Sequence, residues 1–231
     1  MKKIFTLLLL TALSSAYAGE KEIRSSLQSK FPDIPLGQIT PTSYSGLYEV
    51  VIDDQLMYTD AKGDYLFNGS IVETKTRRNL SEERSKVLFA VDFKALPLEL
   101  AVKRVKGNGK RKMAYFSDPN CSYCEKLEKE LVNVTDVTLY IFPYPLFDGS
   151  EEIVRNVYCA KDPAKTWSNW MLSKSRPTKT NCDVPIDKIK ALGKKMRVNG
   201  TPNLVFADGQ QVPGYMPAAA LEKRLDEAAK M

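Results

Sequence analysis

The tetrapeptide Cys121-Ser122-Tyr123-Cys124 constrains this chain more tightly than any other stretch. Before it stands an apolar run at 112–117, whose Met113-Ala114-Tyr115-Phe116 centre reads as a buried strand. After it, Leu127 and Leu131 mark the core face of a helix running to about Val132. The two cysteines therefore sit where a strand runs into a helix N-terminus. Unpaired N–H groups and the helix macrodipole stabilise negative charge there, and the thiolate is the attacking species in disulfide exchange. Cys121, in the first turn, is expected to have the lower pKa and the greater exposure. Cys124 lies nearly one turn further in, close enough to close a disulfide but more shielded. These positions assign attack to Cys121 and the resolving step to Cys124.

The order of elements around the motif predicts a compact α/β domain. A second strand over 137–142 is closed by Pro143 and Pro145, and helices follow at about 150–160, 163–172 and 186–197. Asp162-Pro163 is a cap followed by a first-turn proline. A hairpin comes next, 204–207 and 211–212 about the turn Asp208-Gly209, and then a last helix from about Pro217 to Lys230.

The sequence holds no histidine. That removes Ser-His-Asp and Cys-His catalysis, His-ligated zinc or haem, and a histidine pH switch. Chemistry is left to cysteine, carboxylate, lysine or backbone groups. A zinc half-site at Cys121 and Cys124 would need Cys159 and Cys182 as its other ligands, and a c-type haem motif would need histidine where Glu125 stands. A static bridge is the remaining alternative to redox chemistry. Cys159 and Cys182 bracket the helical insert in a loop-rich segment with Pro177 and Pro185. A structural disulfide is their plain reading, and a second redox pair the rival one. Asn199-Gly200-Thr201-Pro202 precedes the hairpin. Pro202 is either a trans edge residue or a cis proline that leaves a flat backbone edge able to pair with an extended substrate.

Lys2 and Lys3, an apolar run over 4–13 and Ala16-Tyr17-Ala18 together predict a secretory signal peptide over 1–18, cleaved after Ala18. The run is half of the roughly 20 residues that a membrane span needs. Export favours disulfides among an even number of cysteines. The formal net charge is +6, yet the basic run at 106–112 reads as a solvated turn without interleaved aromatics, so no nucleic-acid partner is expected. Ile23, Leu27 and Phe31 form one helix stripe stopped by Pro32; short β-rich runs separated by turns then fill 37–76. This small α+β unit contains no cysteine. Ser81-Glu82-Glu83 caps a further helix, expected over Arg84 to Phe93, which reads as a linker.

Three spaced segments then resemble the DsbC family of bacterial disulfide isomerases: Phe116-Ser117-Asp118-Pro119-Asn120-Cys121-Ser122-Tyr123-Cys124, Gly200-Thr201-Pro202 and Val212-Pro213-Gly214-Tyr215. Tyr158-Cys159-Ala160-Lys161-Asp162 and Asn181-Cys182-Asp183 are similar to that family's second cysteine pair. The resemblance implies an α+β chain with an N-terminal cystatin-like dimerisation domain over 19–78, a helical linker over 79–95, and a C-terminal thioredoxin-like fold with a helical insert over 96–231. It implies a periplasmic, V-shaped homodimer whose apolar cleft holds misfolded, disulfide-containing exported proteins, with chaperone activity besides. Cys121 and Cys124 match the catalytic pair, kept reduced by a DsbD-like membrane reductant. Thr201 and Pro202 match the cis-proline loop that contacts nucleophile and substrate, and Cys159 and Cys182 the structural disulfide. No metal or organic cofactor is implied.

Two departures from the family pattern stand out. Ser122-Tyr123 replaces the more familiar Gly-Tyr, and Glu125 replaces a histidine. A carboxylate there either raises a thiol pKa by repulsion or is solvated on the helix surface. The rival functions are a net dithiol oxidase of the DsbA or DsbG kind, and a holdase chaperone whose cysteines are incidental.

Overall fold

The computed structural model describes residues 19–44, 46–53 and 55–230. The expected signal segment, 1–18, lies outside the described residues. The chain divides into two compact units, with the boundary between Leu88 and Phe89.

In the first unit helix α1 spans residues 19–30. Its Ile23 and Leu27 are fully enclosed and pack on Ile39, Val50 and Ile52. Those partners come from an antiparallel sheet, β1 (Leu36–Pro41), β2 (Tyr48–Ile52), β3 (Gln55–Thr59) and β4 (Leu66–Phe67), ordered as in the chain. A two-strand hairpin, β5 (Val72–Glu73) and β6 (Arg78–Asn79), leads into α2 (Leu80–Leu88). Tyr58 and Ser81 share a 2.6 Å hydrogen bond that ties the start of α2 to β3. Arg84 pairs with the mostly buried Glu49.

Helix α2 begins and ends earlier than the sequence predicts. It carries no continuous apolar face, since Val87 is exposed. Beyond it, Phe93 and Leu96 are drawn into the core of the second unit. Asp92 accepts from Lys94 N at 2.9 Å and caps a single 3₁₀ turn at Phe93–Ala95 instead of a continued helix.

The second unit is built on five strands in the order β11-β10-β8-β9-β7. In chain order these and their helices are β7 (Val102–Lys106), β8 (Arg111–Ser117), α3 (Ser122–Leu131), β9 (Val137–Pro143), α4 (Ser150–Tyr158), α5 (Pro163–Ser173), α6 (Ile186–Lys195), β10 (Asn203–Phe206), β11 (Gln211–Pro213) and α7 (Ala218–Ala228). β8 and β9 run parallel, as a β-α-β crossover requires, and the other pairs are antiparallel. Alternation along the central strand splits the core. Met113 and Tyr115 pack in one layer with Leu127, Leu131, Leu221 and Leu225, while Ala114 and Phe116 meet Phe142, Ile189 and Val205 in the other.

β7 was not anticipated, because the two valines of Val-Lys-Arg-Val-Lys stand among three cations and give no clear strand signal. At a sheet edge such a strand is tolerated, and two of its cations, Arg104 and Lys106, find specific acceptors. Lys106 Nζ donates to the carbonyls of Leu131 and Val132 at the end of α3. The basic run at 106–112 is likewise more than a solvated turn: Arg111 is mostly buried and pairs with Glu222 and Asp226. Gly107 is left-handed, with φ of 55°, and a Cβ there would lie 2.2 Å from Asp136 Oδ1.

Candidate active site

Strand β8 delivers the chain to Cys121, which occupies the N-cap of α3 with extended backbone and no side-chain cap. Cys121 and Cys124 carry free thiols. Cys121 is 5% exposed and Cys124 is fully enclosed. The Cys121 thiol donates to Thr201 O at 3.3 Å. Its pKa is lowered from 9.0 to about 6. The hydrogen bond from the Cys124 thiol is the main cause, helped by the Cys124 and Tyr123 N–H groups at the helix start and by the Thr201 hydroxyl, and opposed by burial. Cys124 moves the opposite way, pushed up first by burial and then by its donation to Cys121. The pair therefore holds one readily formed negative charge, and holds it on the outer sulfur.

The Thr201–Pro202 peptide is cis. Pro202 O accepts from Gly214 N at 2.8 Å, and Asn203 pairs with Phe116 on β8 and Pro213 on β11. Strand pairing thus carries Thr201 to the same end of the sheet as Cys121. Cys159 and Cys182 are bonded to each other, joining the end of α4 to the segment before α6.

Several residues that hold this geometry escaped sequence reasoning. Asp118 is completely buried, and its carboxylate accepts from Asn120 N (2.6 Å), Leu146 N (2.5 Å), Phe147 N (3.0 Å) and Ser150 Oγ (2.7 Å). Asn120 Nδ2 donates to Asp148 O and Ser150 Oγ. The loop before Cys121 is thereby fastened to the loop before α4. It is fastened also to the insert, because Trp170 Nε1 donates to Pro119 O at 2.7 Å. An aspartate between a strand and a thiol motif was the available signal, though its partners lie some thirty residues away.

Glu125 is paired, not bare: Lys174, at the end of α5, forms an ion pair with it. Its charge is thus compensated by a cation on the helix surface. Tyr123, Leu146 and Phe147 are exposed by 62%, 47% and 55% around the thiol-bearing loop.

Behind the cysteines lies a buried polar cluster. Glu128, one helical turn beyond Cys124, accepts from Tyr115 OH (2.5 Å), Trp167 Nε1 (2.8 Å) and Arg104 Nη1 (2.9 Å). Arg104 Nη1 reaches Ser168 Oγ as well, at 2.8 Å. Burial pushes the Tyr115 hydroxyl well above its ordinary range, so it stays a donor.

Comparison with known proteins gives two matching family models. Residues 98–229 match a thioredoxin-like domain, and 14–82 the N-terminal domain of the disulfide bond isomerase protein. The probable thiol:disulfide interchange protein DsbC of Bordetella avium is 41% identical over 204 residues, covering 88% of this chain and 73% of that one. The thiol:disulfide interchange protein DsbC of Escherichia coli is 28% identical over 236 residues, covering 100% of this chain and 98% of the other. Among solved structures, a disulfide interchange protein from Neisseria gonorrhoeae is similar at a TM-score of 0.56 and 38% identity. It covers 58% of this chain and 99% of that one.

Proposed function

The chain belongs to the DsbC family of thiol:disulfide isomerases, and we propose that its cycle runs on Cys121 and Cys124, in the periplasm, on exported proteins carrying wrong disulfides. The observation that carries this reading is the opposed pair of thiols. An outer sulfur with its pKa near 6 faces the Thr201 carbonyl, and an enclosed sulfur held protonated stands behind it.

Cys121 thiolate attacks one sulfur of a substrate disulfide; a Cys121–substrate bond forms and the other substrate sulfur leaves as a thiolate. Rearrangement ends when a substrate thiolate attacks the substrate sulfur of the mixed disulfide: a new substrate disulfide forms, the Cys121–substrate bond breaks and Cys121 departs as a thiolate. Its low pKa makes it a good leaving group. When rearrangement stalls, Cys124 attacks Cys121, the internal disulfide forms and the substrate leaves reduced. The oxidised pair is then restored by a DsbD-like membrane reductant.

Thr201 and Pro202 present backbone to an extended substrate segment, and the Cys159–Cys182 bridge is structural. Exposed Tyr123, Leu146 and Phe147 supply apolar contact for non-native clients, which supports a chaperone role as well. Residues 19–78 form the dimerisation domain, joined through 79–95 to the catalytic domain over 96–231. The support for a homodimer is a short edge strand, β4, whose Phe67 is exposed together with nearby Tyr65 and Val72.

Refolding of a scrambled, disulfide-bonded model protein tests this reading. Cys121→Ala should abolish disulfide rearrangement, and full activity in that variant overturns the assignment. Thiol trapping directly from cells should find Cys121–Cys124 reduced and Cys159–Cys182 oxidised; both pairs oxidised would point to a net oxidase instead.

A further inference from the structure

Among the described residues, four buried side-chain polar atoms have no hydrogen-bond partner, and two of them, Ser117 Oγ and Thr201 Oγ1, border the cysteine pair. Ser117 is the last residue of β8 and is completely buried. Its backbone is fixed by the parallel pairing with Pro143 and by the bond from Tyr144 N to Ser117 O at 2.8 Å. Strand alternation puts residue 117 on the same face as Met113 and Tyr115, whose layer also contains Cys124. A buried hydroxyl without a partner destabilises a fold, so a native structure that keeps one calls for an explanation.

We propose that Ser117 is a catalytic residue of the resolving step, its hydroxyl donating to the Cys124 sulfur as that sulfur becomes a thiolate. This rests on the roles assigned above to Cys121 and Cys124. In that step the Cys124–Cys121 bond forms and the Cys121–substrate bond breaks. The electron pair leaves with the substrate sulfur, and the proton lost by Cys124 ends on that sulfur. The two enzyme cysteines are oxidised and the substrate disulfide is reduced, so no further reactant is needed.

The difficulty of the step is that negative charge must appear on a fully enclosed sulfur, which burial disfavours. The Ser117 hydroxyl acts against that upward push. A neutral thiol beside it offers the hydroxyl only a weak acceptor, and once the sulfur ionises it offers a strong one. Weakly engaged in the resting reduced enzyme and strongly engaged on the way to the internal disulfide, it strengthens selectively in the reacting state. Attack by Cys121 does not use it, since that sulfur faces Thr201 O.

The full reduced chain treated with 5,5′-dithiobis(2-nitrobenzoate) separates the two events. The first thionitrobenzoate release reports attack by Cys121, and the second reports displacement by Cys124. Ser117→Ala should leave the first phase within about twofold and slow the second about tenfold, the scale of one lost hydrogen bond to a charged group. Ser117→Thr should restore the second phase and Ser117→Val, equal to it in shape, should not. That Thr/Val pair decides the matter even if the alanine variant folds poorly. Second phases equal in the Thr and Val variants, or a first phase slowed as much as the second, would overturn the proposal. A first phase that persists in Cys121→Ala, or a second that persists in Cys124→Ala, would instead overturn the roles on which it rests.

Discussion

Acidification is the perturbation that most directly probes the outer thiol. With a pKa of about 6 in place of 9.0, Cys121 is roughly 90% thiolate at pH 7, where an unperturbed thiol would be about 1%. Intrinsic nucleophilicity falls with pKa by a Brønsted slope of about 0.4–0.5, which takes back about 15- to 30-fold over three units. The net gain at pH 7 is therefore only about three- to six-fold. The larger benefit goes to departure, because a weakly basic sulfur leaves a mixed disulfide readily. Carbamidomethylation by iodoacetamide, followed by mass spectrometry at Cys121, should give a rate profile with its midpoint near pH 6 and a plateau above pH 7. Cys124→Ala removes the leading cause of the depression, so its midpoint should move upward towards 9.0. Stability has a matching sign. A lowered folded-state pKa stabilises the reduced fold above the unfolded value of about 9 and loses that contribution as pH falls through about 6. The Tm of the reduced chain relative to the oxidised one should accordingly drop between pH 8 and pH 5. A wild-type midpoint near 9, or one unmoved in Cys124→Ala, would refute the hydrogen-bonded thiolate.

Three further outcomes follow from contacts described above. Glu128→Ala leaves Tyr115, Trp167 and Arg104 without their shared acceptor and should cost about 3–5 kcal/mol in urea unfolding. A loss under about 1 kcal/mol would show that the donors find other partners. Lys174→Met exposes Cys121 to an unpaired Glu125 and should raise the iodoacetamide midpoint by less than about one unit, with Glu125→Gln in the same chain returning it. Replacing both Cys159 and Cys182 by Ala opens a loop with a sequence separation of 23 and should cost about 3 kcal/mol by urea unfolding, while leaving the Cys121 profile in place.

Much of the catalytic fold was legible because its signals are local. The apolar centre of β8, the Leu127–Leu131 stripe and the Asp162-Pro163 start of α5 each lie within one element. β7 was missed because its two valines stand among three cations, and the acceptors of Arg104 and Lys106, Glu128 and the end of α3, are brought there only by the fold. The early end of α2 had a similar origin: Phe93 is taken up by Phe116 and Tyr140, distant in sequence and in the second unit with it. At the site, adjacency revealed the two thiols, and the helix start indicated which would ionise. Asp118, Trp170 and Lys174 stayed hidden, since each acts on a loop or side chain far away in sequence. A buried aspartate announces that it needs partners but not which ones.

The Glu128 cluster bears on how such a chain can change over time. Its members come from β7, β8, α3 and α5, and three of its side chains donate to one carboxylate. Replacing any one of them strands a polar atom in an apolar layer, so single-step substitution is penalised at each position even where a different complete set would fit. Arg104, Tyr115, Glu128 and Trp167 should thus be inherited together or exchanged together. The surrounding leucines and valines answer to volume and shape alone, so a volume-conserving apolar exchange can occur there one residue at a time.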